Sequence, residues 1–444
     1  MNPSTSALLT DLYELTMAQS YQEQGMDEQA AFEFFVRKLP SHRNFLVAAG
    51  LQQVLDFLSE LRLTQEELAW LDHTGQFTPE LLRYLEALRF TGDVDAMPEG
   101  TIFFPHEPIL RIVAPLPQAQ LVESRVMNLL NFQTMVASKA ARSVLVAGAK
   151  PIIDFGLRRA HGAEAGLLAA RASYLAGFAG TATVLAGMAY GIPLYGTMAH
   201  SFVQAHRDEE IAFEHFAQAQ PDNVVLLIDT YDTEAAARKV VSLAPALKAR
   251  GITVKGVRLD SGDLADHARK VRRILDEGSV SHAQILASGN LDEYRLRDLI
   301  ESRAPIDSFA VGTAMTTSAD APSLDCAYKL QEYAGRPCRK RSEGKATWPG
   351  RKQVYRHCHR DARYAYDLVT TIDDKVGDLP LLEPVMRDGH RLAPSPALTE
   401  VRRRVTAQLE QLPAPLRVLE DAPAYEVRIS SPLQDLAQTV DRYV

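Results

Sequence analysis

A short Gly-containing segment with a histidine is the first place in this sequence where the residue types suggest chemistry. Gly196-Thr197-Met198-Ala199-His200-Ser201 follows a short apolar run. A neutral imidazole nitrogen near pH 7 can act as a base or accept a phosphoryl group. A histidine in this position can equally be a core or helix-capping residue, so His200 alone does not decide between function and structure.

A second segment places one guanidinium and two carboxylates around a single turn. It reads Gly256-Val257-Arg258-Leu259-Asp260-Ser261-Gly262-Asp263. Arg258 can bind a carboxylate or a phosphate through two parallel hydrogen bonds. Asp260 and Asp263 can hold ribose hydroxyls, coordinate Mg²⁺ or stabilise positive charge on a sugar ring. A structural ion pair is the alternative interpretation, and the tight Asp-Ser-Gly-Asp spacing favours a functional site.

Other residues of the same region are typical of anion-binding sites. Arg158 and Arg159 are adjacent, and we expect one of them to face away from the ligand. Ser288-Gly289-Asn290 and Val311-Gly312-Thr313-Ala314 are late Gly loops, of the kind whose backbone N–H groups bind phosphate. Each loop alone can be a simple turn, but together they favour a phosphate site. The candidate phosphate-binding residues are Ser288, Gly289, Gly312 and Thr313.

All these candidates directly follow apolar runs, which predicts how they are brought together. The runs alternate with Ala- and Leu-rich helical stretches, a pattern typical of right-handed crossovers and of a parallel sheet covered on both faces. Six strands in one region favour a closed barrel over an open sheet, and the carboxyl ends of barrel strands converge on one opening. The predicted strands are 152–155, 192–195, 224–228, 254–259, 285–287 and 309–311.

The two flanks of this region have a different pattern. Residues 1–115 mix helical and β-like segments, and after about residue 325 the sequence reads as strands separated by Gly and Pro turns. We therefore predict an α/β protein, an irregular parallel α/β barrel with a second α+β domain formed from the N- and C-terminal segments. The predicted boundaries are 1–115 for the first part of the α+β domain, 116–326 for the barrel and 327–444 for the segment that completes the α+β domain.

Composition and charge argue against several other classes of protein. The chain has 444 residues, of which 46% are hydrophobic and 23% charged, and its net charge of −8 argues against a sequence-independent nucleic-acid binder. Three cysteines are too few for a disulfide framework, the N-terminus lacks a secretory signal, and no apolar run approaches the roughly 20 residues of a membrane helix. We expect a cytoplasmic protein without nucleic-acid or membrane partners. The spacing of Cys338, His357, Cys358 and His359 fits no common zinc pattern, so we predict no metal site made by protein ligands alone.

Seven motifs in a fixed order, between about residue 8 and about residue 356, carry a family resemblance. They are Thr10-Asp11-Leu12-Tyr13, Phe32-Glu33-Phe34-Phe35-Val36-Arg37, Asp154-Phe155-Gly156-Leu157-Arg158-Arg159, Gly196-Thr197-Met198-Ala199-His200-Ser201, Val257-Arg258-Leu259-Asp260-Ser261-Gly262-Asp263, Val311-Gly312-Thr313 and Ser342-Glu343-Gly344-Lys345. As an ordered set they resemble the nicotinate phosphoribosyltransferase family. The resemblance implies a type II phosphoribosyltransferase fold and a homodimer whose active sites are shared near the subunit interface.

The resemblance also implies a reaction and a role for single residues. The enzyme would make nicotinate mononucleotide and diphosphate from nicotinate and 5-phosphoribosyl 1-diphosphate (PRPP), coupled to ATP, as the first step of NAD synthesis from nicotinate. His200 would be the phosphohistidine, with Asp260 and Asp263 as further catalytic groups. Mg²⁺ would bind through the PRPP diphosphate, with Asp260 as the candidate protein ligand. The resemblance implies that Tyr13, Thr197 and Arg258 contact nicotinate, that Arg158 lies at the substrate site and that Thr313 contacts PRPP. To these we add Ser201 as a predicted residue for nicotinate and phosphate, and Ser288, Gly289 and Gly312 as predicted residues for the PRPP phosphate.

Three alternatives remain open at the level of sequence. A nicotinamide phosphoribosyltransferase would share the fold and the histidine. A quinolinate phosphoribosyltransferase is a shorter chain that does not need a phosphohistidine. A non-catalytic barrel that senses phosphosugars is an alternative from another functional class. Such a sensor would not require His200 together with Arg258 and Asp260.

Overall fold

The computed structural model describes residues 6–376 and 379–442. Its helices are α1 Leu12–Glu23, α2 Leu51–Ser59, α3 Gln65–Thr74, α4 Pro79–Ala87, α5 Leu116–Leu121, α6 Glu123–Ala147, α7 Ala163–Leu175, α8 Val184–Tyr190, α9 His200–Gln204, α10 Glu209–Ala219, α11 Thr233–Ala249, α12 Leu264–Glu277, α13 Glu293–Glu301, α14 Thr313–Thr316, α15 Leu398–Gln411 and α16 Ser431–Arg442. Short 3-10 turns span Leu157–Arg159 and Ala414–Arg417. In the described ranges no helix is long and apolar enough to cross a membrane.

The strands are mostly short and belong to four sheets. They are β1 Gln29–Val36, β2 Leu46–Val47, β3 Asp93–Ala96, β4 Ile102–Phe103, β5 Pro108–Pro115, β6 Ile152–Asp154, β7 Gly180–Thr181, β8 Val225–Leu227, β9 Gly256–Leu259, β10 Gln284–Ala287, β11 Ser308–Val311, β12 Cys326–Tyr333, β13 Arg336–Pro337, β14 Lys352–Cys358, β15 Tyr364–Thr371, β16 Leu379–Pro380, β17 Glu383–Arg387, β18 His390–Arg391 and β19 Val427–Ile429.

The chain divides into two compact units. The first contains residues of 1–138 and 321–444, and the second contains residues 139–320. The first unit therefore draws on both ends of the chain. The domain boundaries predicted from the sequence, after residues 115 and 326, stay a prediction.

In the second unit, β6 to β11 form one parallel sheet in the order β7-β6-β11-β10-β9-β8. Three of its strands, β6, β8 and β9, lie within predicted runs, and β10 and β11 begin one residue before theirs. The strand predicted at 192–195 is wrong, because only Leu194 makes a single parallel bridge, to Thr181 of β7. The short strand β7 takes that place in the sheet. Its Gly180 allows a close approach that the sequence pattern did not reveal, since a Cβ there would lie 2.2 Å from the carbonyl oxygen of Pro193.

The structure confirms the predicted α/β class with its parallel sheet, while closure into a barrel stays a prediction. In the described residues, the edge strands β7 and β8 are not paired with each other. The segment 194–196 contacts both edges of this sheet, at β7 and just before β8. Leu194 bridges to Thr181, and the Asn223 side-chain amide, just before β8, donates a hydrogen bond to the carbonyl oxygen of Gly196 at 3.0 Å.

The side chains of β9 alternate between the two faces of the sheet, and one of them is polar. Val257 and Leu259 are fully buried, whereas Arg258 points to the opposite face. On that face, Ile153, Leu286 and Ala310 form an apolar cluster against which Phe155 packs. Arg258 is thus the polar residue of a strand that is otherwise apolar.

The first unit is built on a sheet that combines both ends of the chain. Its order is β13-β12-β1-β5-β3-β17-β18, and neighbouring strands are antiparallel. The N-terminal strand β1 lies between β5 and β12, with Phe34 opposite Tyr328. A second sheet has the order β16-β14-β15-β19, and β2 pairs with β4.

Candidate active site

Arg258 is the centre of a polar cluster at the carboxyl ends of the parallel strands. Its Nε donates to Oγ of Ser288 at 2.9 Å, and its Nη2 donates to Oδ1 of Asp260 at 2.7 Å. Nη1 makes a longer contact, 3.4 Å, with Oγ1 of Thr197. The guanidinium also lies 5.2 Å from the centre of the Phe155 ring. Three predicted site residues from three separate segments therefore surround one guanidinium.

Asp260 is held as a carboxylate by the groups around it. Oδ1 accepts a hydrogen bond from Oγ of Ser288 at 2.5 Å, in addition to the one from Arg258. Burial acts to raise the pKa of Asp260, but the Ser288 hydrogen bond and the Arg258 charge outweigh it and leave the pKa below its usual value. Asp260 is therefore ionised at neutral pH, and its negative charge lies at the same opening as Arg258.

His200 begins α9 and reaches the same cluster. Its Nε2 lies 3.8 Å from Oδ2 of Asp260, and its Nδ1 lies 3.1 Å from Oγ1 of Thr230. The side chain is 40% exposed, so a substrate can reach the ring. Of the imidazole, the guanidinium and the two carboxylates predicted around one opening, the structure brings His200, Arg258 and Asp260 together.

A cavity of about 420 Å³ lies beside this cluster. It is lined by Phe155, Arg158, Arg159, Arg258, Asp260, Ser288, Gly289, Asn290, Ala310, Gly312 and Thr313. Both Arg158 and Arg159 contribute to the lining, and the expectation that one of them faces away from a bound ligand stays a prediction. The pair lies in the 3-10 turn Leu157–Arg159, where both long side chains are exposed at the cavity rim. The predicted phosphate residues thus share a cavity with two arginines.

Three predicted residues lie outside these contacts. Oδ1 of Asp263 caps α12 by accepting hydrogen bonds from the backbone N–H groups of Ala265 and Asp266, at 3.1 and 3.0 Å. Ser201 is exposed in the first turn of α9 and does not line the cavity. Tyr13 belongs to the first unit, in the first turn of α1, with 43% of the residue exposed. Their predicted roles in catalysis and binding stay predictions.

Comparisons with known proteins decide the family. Models for the N-terminal domain, the catalytic region and the C-terminal domain of nicotinate phosphoribosyltransferase match residues 8–131, 151–337 and 376–437. A nicotinate phosphoribosyltransferase of Mycobacterium tuberculosis is 47% identical over 426 residues, covering 96% of this chain and 91% of that protein. The chain belongs to the nicotinate phosphoribosyltransferase family. The family resemblance and the enzyme class predicted from the motifs are thereby confirmed.

Two further proteins of that name support the same conclusion, and a third solved structure shares the fold. The enzyme of Bacillus subtilis is 39% identical over 391 residues, covering 85% of this chain and 79% of that protein. The crystal structure of human nicotinic acid phosphoribosyltransferase superposes with a TM-score of 0.87 at 29% identity, covering 97% of this chain and all of that one. A nicotinate-nucleotide pyrophosphorylase from Pyrococcus furiosus gives a TM-score of 0.75 at 26% identity, covering 92% and 96% of the two chains.

Gly289 gives this phosphoribosyltransferase a close contact between two site loops. Its φ is +94°, and a Cβ at this position would lie 1.9 Å from the carbonyl oxygen of Asp260. We expect Gly289→Ala to lower the free energy of unfolding by about 3 kcal/mol, because the new methyl group must push the Asp260 backbone away. Chemical denaturation measures the loss. Gly196→Ala is the matched control, since a Cβ at Gly196 meets no atom within 4 Å. Equal stability of the two variants would contradict the expectation.

Sequence reasoning missed residues that follow β6 and β8. Phe155 lines the cavity and contacts Arg258 through its ring face. Oδ2 of Asp229 accepts hydrogen bonds from the backbone N–H of Asp260, at 2.9 Å, and from Oγ of Ser261, at 2.6 Å. Within the described structure, the buried Oδ1 of Asp229 has no hydrogen-bond partner. The available signal was the polar Asp229-Thr230 pair, which comes directly after a buried apolar run.

The segment around Tyr13 in the first unit is strongly acidic. Glu14 is fully buried, and its Oε1 accepts hydrogen bonds from the backbone N–H and the hydroxyl of Ser124, at 2.8 and 2.6 Å. The Thr10 hydroxyl donates to its other oxygen. Burial raises the pKa of Glu14 to about 7, although these hydrogen bonds offset part of the effect. Burial also raises the pKa of Tyr13, and the charges of Glu123 and Glu14 add to this shift, so its hydroxyl stays protonated.

Ionisation of Glu14 makes the folded protein less stable as the pH rises. Because its folded-state pKa of about 7 lies above the ordinary 4.5, its contribution to stability is present below pH 4.5 and is lost as the pH rises through 7. We expect the wild-type melting temperature to fall between pH 5 and pH 8 relative to that of Glu14→Gln, which cannot ionise. Scanning calorimetry across this range measures the difference. Glu23→Gln, at an exposed position of the same helix, is the control. Parallel pH profiles for wild type and Glu14→Gln would refute the expectation.

Proposed function

We propose that this enzyme transfers the phosphoribosyl group of PRPP to the ring nitrogen of nicotinate, and that ATP drives the reaction through a phosphohistidine at His200. The observation that carries the proposal is the position of Arg258. It lies on an aromatic ring, it is held by Asp260 and Ser288, and it lines a cavity that also contains Arg158 and Arg159. A carboxylate site and a phosphate site are thereby adjacent.

The nicotinate carboxylate binds to Arg258. A guanidinium carries five N–H groups, and three of them are used in contacts to Ser288, Asp260 and Thr197. The remaining N–H groups on Nη1 and Nη2 are on the planar edge that matches a carboxylate. The Phe155 ring beside the guanidinium offers a flat apolar surface to the pyridine, and Tyr13 of a second subunit supplies another. Stacking of this kind contributes about 1 kcal/mol.

The PRPP phosphates bind in the cavity that Arg158 and Arg159 line. The loops at Gly289 and Gly312 bring backbone close to the same space, and Thr313 adds a hydroxyl. With three arginines and one carboxylate in its lining, this cavity favours an anion although the whole protein carries a net charge of −8.

Transfer requires stabilisation of a positive sugar more than it requires a base. The pyridine nitrogen already has a free lone pair, so no group must remove a proton from it. As diphosphate leaves, the ribose gains oxocarbenium character, and the Asp260 carboxylate is the negative group that steadies it. Asp263 stands as a second candidate for this role in the same loop. Mg²⁺ brought by PRPP fits Asp260, whose ionised Oδ2 is a hard oxygen donor, and would neutralise the leaving diphosphate.

ATP acts through His200. A phosphoryl group on this ring places about two negative charges beside Asp260 and Arg258, which can favour a closed state that binds substrates tightly. A hundredfold gain in affinity corresponds to about 2.7 kcal/mol. A few charge-assisted hydrogen bonds to the new phosphoryl oxygens supply that much.

We also propose that the active enzyme is a homodimer with shared sites. Val184, Leu185 and Met188 on α8 are 71%, 51% and 80% exposed, and Leu12 beside Tyr13 is 58% exposed. Apolar faces of this kind are typical of subunit contacts. A complementation experiment tests the sharing: inactive Tyr13→Ala and Arg258→Gln proteins should regain activity when mixed. No recovery after subunit exchange would argue against a Tyr13 contributed by the partner.

One kinetic comparison separates this function from the alternatives. Purified enzyme is assayed with PRPP and either nicotinate, nicotinamide or quinolinate, each with and without ATP. The proposal expects turnover of nicotinate with strong ATP stimulation and little turnover of the other two. Preference for nicotinamide, or ATP-independent turnover of quinolinate, would assign a different transferase, and no turnover of any acceptor would favour a binding protein.

A further inference from the structure

Thr230 contacts His200, the candidate phosphohistidine. Its Oγ1 lies 3.1 Å from Nδ1 of His200. Thr230 comes directly after Asp229, whose carboxylate holds the backbone of Asp260 at 2.9 Å. One short segment after β8 therefore contacts both His200 and the loop that carries its neighbouring carboxylate.

The surroundings of His200 determine which ring nitrogen carries the proton. Nε2 faces Oδ2 of Asp260 at 3.8 Å, and the ionised carboxylate can only accept. This charge favours the neutral ring that has its proton on Nε2. The lone pair is then on Nδ1, directed at the Thr230 hydroxyl, which can donate to it.

We propose that Thr230 is a positioning residue for phosphorylation: its hydroxyl holds Nδ1 as the nucleophilic nitrogen of His200 and then donates to the phosphoryl group on that nitrogen. The inference rests on the proposed function, in which ATP phosphorylates His200. It adds the identity of the reacting nitrogen and the residue that selects it.

Phosphorylation of His200 requires only ATP and the groups around the ring. The Nδ1 lone pair attacks the γ-phosphorus, the N–P bond forms, and the P–O bond to ADP breaks with its electron pair leaving on ADP. The ring gains a positive charge while it keeps the proton on Nε2, and Asp260 lies on that side to stabilise it. The Thr230 hydroxyl, released from the lone pair, is adjacent to the new phosphoryl oxygens.

Two substitutions at Thr230 distinguish the effect of its hydroxyl from the effect of its side-chain shape. Thr230→Val keeps the branched shape without the hydroxyl, and Thr230→Ser keeps the hydroxyl. The full-length proteins are incubated with ATP, and phosphohistidine occupancy is measured together with its lifetime. We expect Thr230→Val to lower occupancy by about tenfold, the effect of one lost hydrogen bond to a charged group, and Thr230→Ser to stay within about threefold of wild type.

The position of the phosphoryl group on the wild-type ring is a second measurement that needs no variant. Phosphorus and nitrogen NMR of protein labelled with ¹⁵N-histidine should place it on Nδ1. Phosphate on Nε2, or normal occupancy in Thr230→Val, overturns the role of Thr230 alone. Formation of product by a wild-type protein that never carries phosphohistidine overturns the ATP coupling proposed above, and this inference with it.

Discussion

Replacing Arg258 by glutamine should reduce kcat/KM for nicotinate by at least about a hundredfold, because truncating one partner of a buried charged contact costs about 2–5 kcal/mol. Two effects add. The nicotinate carboxylate loses its counter-charge, and Asp260 loses the guanidinium that lies 2.7 Å from its Oδ1. Since the Arg258 side chain is only 12% exposed, water does not readily replace it.

Steady-state kinetics with both substrates checks this expectation. Arg258→Lys should also be strongly impaired, because an ammonium keeps the charge but loses the planar fork. Arg159→Gln, in the same cavity, is the matched variant and should raise the KM for PRPP more than the KM for nicotinate. If Arg258→Gln changed the constants for nicotinate and nicotinamide equally, Arg258 would not be the carboxylate site.

Replacing His200 by alanine should abolish the coupling to ATP and leave slow transfer. Arg258 and Asp260 are held by contacts to each other and to Ser288 that do not involve the imidazole, so the uncoupled reaction can continue. The KM for PRPP measured with ATP should rise by about a hundredfold, to the value without ATP, which corresponds to about 2.7 kcal/mol of lost stabilisation.

The rate of ATP hydrolysis, the phosphohistidine content and the transfer rate are measured on the same preparation. His282→Ala is a suitable control, because His282 is exposed just before β10, at the opposite end of that strand from the site. Phosphate that maps elsewhere than His200, or ATP stimulation that persists in His200→Ala, would reject the assignment.

The gathering of Asp260 and Ser288 beside Arg258 could be predicted from the sequence because a parallel sheet leaves little choice, and β9 and β10 are neighbours in it. His200 joins them although the strand predicted before it is only a single bridge. Residues that directly follow neighbouring parallel strands must lie at one edge. The apolar run that became β9 and the amphipathic stretch that became α12 fixed the position of the loop between them. Here local pattern and tertiary structure agree, and the prediction required no knowledge of side-chain contacts.

The other features of the site depend on tertiary contacts, which a sequence pattern does not contain. Phe155 ends an apolar run, so it looked like a core residue, yet it lines the cavity. Asp263 looked equivalent to Asp260, but one of its oxygens is committed to the first N–H groups of α12. The strand predicted at 192–195 is only a single bridge, and the pattern did not predict β7, whose Gly180 lets that strand approach Pro193 closely.

The pairing of β1 with β12 has a consequence for biosynthesis. Phe35 lies opposite Ala327, so nearly three hundred residues must be made before the first long strand finds this neighbour. The second unit, residues 139–320, is contiguous and can become protected from proteases while the ribosome is still translating. Nascent chains stalled after residue 320 should show this order of events. Premature termination would leave β1 with an unpaired hydrogen-bonding edge, a surface prone to self-association.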